Sequence, residues 1–474
     1  MPSKTFKTRL VLDGFLSSDS CVFVAETPSM ILRFSLENWM SFQNKAEFTM
    51  LAGRERQHGE RVPRLLKYQA RIVPIAALYG GNASGKTSFF KALAFAKLFI
   101  VNGSATDSRI PVEPFRLDIS SIGQPSRFSF EILVEETVYD FSFSLTDRSV
   151  LEEKLAIVTR SQEKVLYARR GGKIHFDSSL EKDLFLHFAF QGTRDNQLFL
   201  TNSVSQKVET FRPVYDWFKK TLVLVAPDTR FAPFEQFLDE GNPLYTAMNA
   251  ILPLLDTGIT HIGGEEIPFE SLSLPDTIKQ DLEKELKEGM TVRIMDESVR
   301  NRLVCTRKNE RLIIKKLMTC HQTSEGKDAL FEMFLESDGS QRVIDLLPAF
   351  LELASKKSKK VYVIDEIDRS LHTLLTRKLI ELFLERCSTE TRSQLLLTTH
   401  DVLLMDQSLL RRDEIWVTER QSNGESKLIP FSAFKEVRYD KDIRKSYLQG
   451  RMGGIPFLSP ITLDASSRST KKRK

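Results

Sequence analysis

Residues 77–93 read ALYGGNASGKTSFFKAL, and residues 80–87 within them match the pattern G-x-x-x-x-G-K-[ST] without a departure. An apolar run, RIVPIAAL at 71–78, precedes this loop. Apolar residues follow it at helical spacing, namely Phe89, Leu93, Ala96 and Ile100. In the order strand, loop, helix, backbone N–H groups cradle a phosphate at the helix N-terminus. The alternative is a glycine-rich turn that matches by chance, and the flanking elements argue against it.

The loop predicts a site for ATP and Mg²⁺, because each residue type has a use there. Glycines let the backbone turn its N–H groups inward, a lysine offers a positive charge to the β and γ phosphates, and a hydroxyl ligates Mg²⁺. Lys86 and Thr87 take the last two roles. The predicted nucleotide ligands are Gly80, Gly81, Asn82, Ala83, Ser84, Gly85, Lys86, Thr87 and Ser88.

A second motif, VYVIDEID at 361–368, places carboxylates directly after four apolar residues. Such a run is typical of a strand that is buried on both faces. Asp365 at the strand end is predicted to hold Mg²⁺ through water, and Glu366 to polarise the attacking water. General-base catalysis of this kind is worth about a hundredfold to ten-thousandfold in rate. The alternative is an exposed strand end that carries solvated acids.

Composition indicates an ordinary globular protein and excludes little else. The chain has 474 residues, 41% hydrophobic and 28% charged, and its net charge of +5 includes the basic residues 471–474, so charge does not argue for nucleic acid. No apolar run reaches the roughly 18 residues that cross a bilayer, and Asp13 interrupts the early apolar patch at 10–16 that a secretory signal would need. The four cysteines lie far apart, so we expect free thiols in the cytoplasm, and no membrane partner.

Three shorter stretches complete a series of motifs. They are ESDGSQ at 336–341, SLH at 370–372 and TTH at 398–400. Taken alone, Ser337 would be a helix N-cap and His400 a structural histidine at a strand end. In the order GGNASGKT, ESDGSQ, VYVIDEID, SLH, TTH, the chain resembles the ABC-type ATPase heads of the SMC, RecF and OLD superfamily, including the groups AAA_15 and AAA_21. It is most similar to stand-alone ATPases of bacterial anti-phage defence systems, and in particular to the ATPase subunit of PARIS systems.

The resemblance covers roughly residues 30–130 and 300–460, and it implies further roles. Ser337, Gly339 and Gln341 would occupy the signature motif, which meets the γ-phosphate bound by the opposite subunit, and His400 would sense the γ-phosphate as a catalytic partner of Glu366. The implied assembly is a homodimer at least, with a hexamer as a further option. The implied partners are a separate effector, a TOPRIM-type nuclease, and a phage-derived trigger. ATP hydrolysis would then drive a conformational switch.

Two departures from the family pattern stand out. Met40 follows Asn38-Trp39 where the family often has Arg, and His372 stands where it usually has Asp. The glutamine that normally completes the Mg²⁺ shell has no assigned position in this chain.

The predicted fold class is α/β, an ABC-type P-loop ATPase head with a mixed β-sheet lobe, an antiparallel β portion and a helical insertion, and without a long coiled coil. Period-two alternation at 126–176 predicts an antiparallel meander, and residues 180–300 are predicted to be mostly helical. The predicted domains are an N-terminal extension (1–29), an ATPase N-lobe (30–130), a β-rich and helical insertion (131–300), an ATPase C-lobe (301–460) and a disordered basic tail (461–474).

Three other functions remain open from the residues. A RecF- or SMC-like DNA-repair ATPase would bind duplex DNA, although no basic stripe at helical spacing supports it. An ATPase with its own nuclease would need more than the pair Asp440 and Asp442, which we interpret as solvated acids. A transporter ATPase is disfavoured by the opening strands, ILRFSLENWMSF at 31–42 and those after it.

Overall fold

The computed structural model describes residues 29–272, 274–296, 301–434, 443–451 and 453–454. The predicted basic tail, nearly all of the predicted N-terminal extension, Cys21 and the pair Asp440 and Asp442 lie outside the described residues. Within the described residues, no helix is long and apolar enough to cross a membrane.

The helices of the described chain are short. They are α1 (Lys86–Asn102), α2 (Leu184–Gln191), α3 (Phe199–Ser205), α4 (Arg212–Asp216), α5 (Pro243–Ile251), α6 (Asp276–Glu285), α7 (Asp338–Leu353), α8 (Thr373–Leu384) and α9 (Ile443–Leu448). The longest of these, α1, has 17 residues. The described part of the chain therefore contains no long coiled-coil arm, as predicted.

The strands are β1 (Ser29–Glu37), β2 (Ala46–Thr49), β3 (Arg64–Leu65), β4 (Ala70–Arg71), β5 (Ile75–Tyr79), β6 (Ser126–Val134), β7 (Thr137–Leu145), β8 (Val150–Val158), β9 (Glu163–Arg170), β10 (Lys173–Phe176), β11 (Leu222–Val225), β12 (Ile259–Ile267), β13 (Thr291–Asp296), β14 (Asn301–Lys308), β15 (Arg311–Gln322), β16 (Asp328–Glu332), β17 (Val361–Ile364), β18 (Gln394–Thr398), β19 (Ile415–Arg420) and β20 (Ser426–Pro430). Together with the helices they form the predicted α/β fold.

A six-stranded sheet carries the phosphate loop. Its order is β11-β17-β18-β5-β19-β20, and all neighbours run parallel except β19 and β20. Every residue of β5, β17 and β18 is buried, which explains why these strands are largely apolar. Because these strands are parallel, the loop after β5, the carboxylates after β17 and the residues after β18 meet at one edge, which we call the carboxyl edge.

A seven-stranded antiparallel sheet lies on the other side of α1. Its order, β10-β9-β8-β7-β6-β1-β2, confirms the predicted meander and adds the first two strands to it. Phe89 of α1 lies edge-on to Phe34 of β1 and to Phe48 of β2, with ring centroids 5.5 and 5.4 Å apart. The apolar face of α1 is thus buried against this sheet, which holds the start of the helix beneath the phosphate loop.

The third sheet has the order β12-β15-β14-β13, with β16 also paired to β15. The described residues of 180–300 contain five helices, α2 to α6, but also three strands that the expectation of a mostly helical segment did not include, namely β11, β12 and β13. β11 is a four-residue apolar run, and β12 carries Gly263, Gly264 and two glutamates, so neither shows a strand period. Their partners, β17 and β15, lie far along the chain, and long-range pairing decides these strands.

The sheets do not follow the predicted domain boundaries closely. The boundary between residues 130 and 131 falls inside β6, and β11 contributes to the six-stranded sheet from within the predicted insertion.

Candidate functional site

The phosphate loop connects β5 to α1 and needs glycine at both ends. Gly85 has φ +114°, and a Cβ there would lie 2.5 Å from Ser426 Oγ. At Gly80 a Cβ would lie 2.6 Å from the carbonyl oxygen of Thr418. Thr418 Oγ1 also lies 2.6 Å from Ser84 Oγ, so a hydrogen bond connects the loop to β19. Only glycine tolerates both the backbone angle and the crowding at Gly85.

Lys86 begins α1 with its amine folded back over the loop. Its Nζ donates to the carbonyl oxygens of Gly80 at 2.7 Å and Gly81 at 3.1 Å, and the side chain is buried. Burial lowers the pKa of Lys86 to about 8, while the carboxylates of Asp365, Asp368 and Glu366 act in the opposite direction. The negative charge of a bound phosphate would favour the protonated, positively charged form of Lys86.

Asp365 and Glu366 follow β17, and one hydroxyl serves both of them. Thr398 Oγ1 donates to Asp365 Oδ1 at 2.6 Å and accepts from the backbone N–H of Glu366 at 2.9 Å. Glu366 adopts φ +48°, a left-handed conformation that costs free energy for a non-glycine residue. Its carboxylate is partly exposed, as a group that must meet a water molecule requires.

The donor set at the carboxyl edge fits a divalent cation. Asp365 is 1% exposed, and its Oδ2 is buried without a hydrogen-bond partner in the described residues. A buried carboxylate oxygen without a partner destabilises the folded chain unless a hydrogen-bond donor or a cation binds to it. Thr87 lies in the first turn of α1 with its side chain exposed. Carboxylate and hydroxyl oxygens are the ligands that Mg²⁺ accepts beside phosphate and water.

His400 follows β18 and reaches the lysine. Its Nδ1 lies 3.4 Å from Lys86 Nζ, and its backbone N–H donates to Asp368 Oδ2 at 3.2 Å. Partial loss of hydration lowers the pKa of His400, and the positive charge of Lys86 adds to this effect. The ring is therefore neutral at pH 7 and can donate from one nitrogen or accept at the other.

Ser337, Gly339 and Gln341 lie at the beginning of α7. Ser337 Oγ accepts from the backbone N–H of Ser340 at 3.1 Å, which is an N-cap. Gly339 packs against the segment after Glu366, since a Cβ there would lie 2.8 Å from the carbonyl oxygen of Ser370. Gln341 is buried and its Nε2 donates to the carbonyl oxygen of Glu336 at 2.9 Å.

The structure thus brings the predicted site residues together in two groups. The first joins residues 80–88 to Asp365, Glu366 and His400, and the second is the start of α7. Among the described residues, no hydrogen bond connects Ser337, Gly339 or Gln341 to residues 80–88. Gln341 is also turned away from solvent, and its observed contact braces the backbone before Ser337.

The two family departures have clear positions. Met40 lines a cleft of about 330 Å³ with Ser41, Ala83 and Ser88, and the indole N–H of Trp39 donates to the carbonyl oxygen of Ser88 at 3.0 Å. The rest of the lining is Glu113, Pro114, Phe115, Arg116, Leu117, Arg420 and Gly424. His372 is the N-cap of α8, where its Nδ1 accepts from the backbone N–H of Leu374 at 3.2 Å.

Sequence reasoning missed Thr398 and Asp368. Thr398 positions both carboxylates after β17, and Asp368 holds the backbone of His400 while its Oδ1 is buried without a hydrogen-bond partner in the described chain. A threonine that ends a strand next to the carboxylate strand was the available signal for Thr398. Reading it requires the strand order, which the sequence does not show.

Residues 75–406 match the model of the family AAA_21, described as "AAA domain, putative AbiEii toxin, Type IV TA system". No curated protein matches the chain.

Several solved structures are similar at low sequence identity. The SMC head domain from Thermotoga maritima is 13% identical with a TM-score of 0.32, and the match covers 85% of this chain and 98% of that chain. An SMC head bound to the C-terminal winged-helix domain of ScpA is 12% identical with a TM-score of 0.34, covering 84% and 97%. The recombination mediator protein RecF of the RecFOR pathway is 11% identical with a TM-score of 0.31, covering 85% and 99%.

Proposed function

Because the chain belongs to the AAA_21 family, we propose that it binds and hydrolyses ATP with Mg²⁺ at the carboxyl edge of the six-stranded sheet. One observation carries the proposal. A buried lysine, a buried aspartate with an unpartnered oxygen, a partly exposed glutamate and a histidine converge there from three parallel strands. These are Lys86, Asp365, Glu366 and His400.

Each side chain has a defined role in this reaction. Lys86 and the N–H groups at the start of α1 bind the phosphates. Thr87 and Asp365 would hold Mg²⁺, which neutralises charge on the β and γ phosphates when bound. Glu366, whose backbone is tied to Thr398, orients a water molecule and accepts its proton. His400 in its neutral form donates to an oxygen of the γ-phosphate.

We assign the nucleoside to the cleft beside Met40. It opens next to Ala83 and Ser88 of the phosphate loop, and its volume of about 330 Å³ is at the lower end of ligand pockets. Arg116 and Arg420 line it with exposed guanidinium groups, which can stack on a base. Met40 supplies the apolar wall where the family often has an arginine.

We further propose that a second copy of the chain completes each site. Ser337 is exposed, and large apolar side chains that lie close in the sequence to Ser337, His372 and His400 are exposed as well. These side chains are Phe334 (42% exposed), Leu335 (59%), Leu374 (67%) and Leu403 (58%). Exposed large apolar side chains on segments that lead to and from the site favour a protein interface. In a head-to-tail dimer, Ser337 and Gly339 of one copy would meet the γ-phosphate held by Lys86 of the other.

The cellular role we propose is that of a switch in anti-phage defence. ATP-dependent assembly would hold a separate effector nuclease, of the TOPRIM type found in PARIS-like systems, and a phage component would release it. This role rests on the resemblance of the chain to ATPases of anti-phage defence systems, and the family description, with its reference to a toxin–antitoxin system, is consistent with it.

The ATPase reaction is tested with two variants and two controls. We expect Lys86→Ala to bind ATP poorly, and Glu366→Gln to bind ATP but to turn it over at least a hundredfold more slowly. The matched controls are Lys91→Ala, an exposed lysine of α1, and Glu390→Gln, an exposed glutamate. Turnover by Glu366→Gln equal to that of the wild type would remove Glu366 from its assigned role.

The shared site is tested by mixing two inactive variants, Lys86→Ala and Ser337→Arg. In a mixed dimer, the Ser337→Arg copy offers an intact phosphate loop to the intact α7 of the other copy. One of the two sites is then whole, and we expect turnover to reappear on mixing. If Ser337 acts within its own chain, the mixture stays as inactive as its components.

The defence role has its own readout. Cells that carry the chain with its neighbouring effector gene are challenged with phage, and we expect Lys86→Ala and Glu366→Gln to abolish or deregulate protection. Unchanged protection by both variants would reject an ATP-driven role in defence. A salt-dependent shift of duplex DNA by the purified chain would instead favour the DNA-repair alternative.

A further inference from the structure

A group of three potential metal ligands lies in the third sheet and shares no residue with the proposed ATP site. His261, Cys320 and Asp328 each present one ligand atom, and these atoms all lie within 4.8 Å of one another. Neither the motifs nor the proposed ATP reaction uses any of them.

The strand register places the three side chains on one face. His261 of β12 is paired directly with Cys320 of β15. On the other side of β15, Asp328 of β16 is paired with Gln322, two residues beyond Cys320. Because side chains alternate along a strand, residues two apart share a face. Three adjacent strands thus contribute one ligand each.

We propose that His261, Cys320 and Asp328 bind a transition-metal ion of the Zn²⁺ class. Thiolate, imidazole and carboxylate are the ligands that Zn²⁺ takes in proteins, at about 2.0–2.3 Å. Ligand atoms around one such ion lie about 3–4 Å apart by that geometry. Atoms already within 4.8 Å therefore need only small shifts to close around the ion.

The surroundings suit such a site. Cys320 is buried, His261 is half-buried and Asp328 is exposed, so the group has a floor and an open side through which an ion and a fourth ligand, water, can enter. The hydroxyl of Thr260 lies 3.3 Å from His261 Nδ1 and also donates to the carbonyl oxygen of Cys320 at 3.0 Å. Contacts of this type orient a ligating histidine and select its tautomer.

Binding exchanges one proton for the ion. Coordination forms the bond between the Cys320 sulfur and the metal ion, while the thiol proton leaves to solvent.

The site has a structural consequence close to the start of α7. β16 ends at Glu332, and a single turn, Met333–Leu335, leads to the N-cap Ser337. An ion that ties Asp328 to β12 and β15 would fix the strand that precedes this helix. Its contribution would be stabilising by mass action, because the unfolded chain does not hold the three ligands together.

The test is a titration of the full chain, freed of metal and of nucleotide, with Co²⁺ and then with Zn²⁺. We expect one equivalent of Co²⁺ to produce a thiolate-to-cobalt charge-transfer band that Zn²⁺ abolishes. Zn²⁺ alone should raise the unfolding temperature. Cobalt bound among the oxygen ligands of the ATP site gives no thiolate band, so the two sites are distinguished.

Variants decide which residues hold the ion. Cys320→Ser should lose the band, and His261→Gln and Asp328→Asn should each weaken Co²⁺ binding more than tenfold. The matched control is Cys305→Ser, which changes a buried cysteine on the neighbouring strand β14. No band in the wild type, a band retained by Cys320→Ser, or unchanged affinity in both His261→Gln and Asp328→Asn would overturn the proposal. The last two variants keep the test valid if Cys320→Ser fails to fold, since neither side chain is buried.

Discussion

Thr398→Val is the perturbation that most directly tests the geometry of the proposed ATP site. The threonine is 2% exposed, and its hydroxyl makes both hydrogen bonds that position Asp365 and Glu366. Valine has nearly the same shape, so the change removes the hydroxyl without opening a cavity. The backbone N–H of Glu366 and the Oδ1 of Asp365 then both lose a partner.

The magnitude follows from the two bonds. A hydrogen bond to a charged group contributes about 1.5–3 kcal/mol and a neutral one about 0.5–1.5 kcal/mol. We expect Thr398→Val to lower the free energy of unfolding by about 2–4 kcal/mol. If the missing hydroxyl also destabilises the transition state for hydrolysis by about 1.4–2.8 kcal/mol, kcat falls about tenfold to hundredfold. ATP affinity should change little, because Thr398 makes no hydrogen bond to the phosphate loop in the described residues.

The assay is steady-state ATP turnover beside urea unfolding, with two controls. Thr398→Ser keeps the hydroxyl and should retain most of the activity. Thr376→Val changes another fully buried threonine, but its hydroxyl has no hydrogen-bond partner in the described chain, so the change should be neutral or stabilising. A Thr398→Val enzyme with kcat within twofold of the wild type would refute the assigned role of this hydroxyl.

Three further outcomes are expected. Burial lowers the pKa of Lys86 from 10.5 to about 8, so the folded chain loses this proton at a lower pH than the unfolded chain does. Without nucleotide, the free energy of unfolding should therefore rise between pH 8 and 10.5 by about 3 kcal/mol relative to that of Lys86→Met. Parallel curves of unfolding free energy against pH for the two chains would contradict this. Gly85→Ala should abolish ATP binding in a calorimetric titration, because the left-handed backbone costs a non-glycine residue about 1–3 kcal/mol and the new Cβ would clash with Ser426. The control Gly172→Ala has open space around its new Cβ and should bind ATP normally. Arg420→Ala should raise the KM for ATP without lowering kcat, and a loss of kcat at unchanged KM would place the nucleoside elsewhere.

The parts of the fold that could be predicted are those in which local sequence and final environment agree. β17 has four apolar residues and β18 has three between Gln394 and Thr398, all of them buried, and both strands lead into the polar residues of the proposed site. The meander at 126–176 alternates because one face packs on the core. In both cases the burial pattern is written in the neighbouring residues themselves.

The parts that could not be predicted depend on contacts between distant segments. β12 carries two glycines and two glutamates and becomes a strand only through its long pairing with β15. Thr398 matters because Ile364 is paired with Leu397, which sets the next residues of the two strands, Asp365 and Thr398, side by side. Neither strand pairing can be predicted from the hydrophobic periodicity of the local sequence.

The segment after Glu366 links the two halves of the proposed assembly. It begins at Glu366, to which we assign the activation of water, and passes Asp368, which holds the backbone of His400. It then reaches Ser370, whose carbonyl oxygen packs against Gly339 at the start of α7. If α7 completes the site of the opposite copy, this short stretch of backbone contacts residues of its own site and also the helix that completes the site of the other copy. A shift of this stretch on loss of the γ-phosphate would then loosen both sites together, because packed contacts of this kind switch between discrete arrangements more readily than they deform.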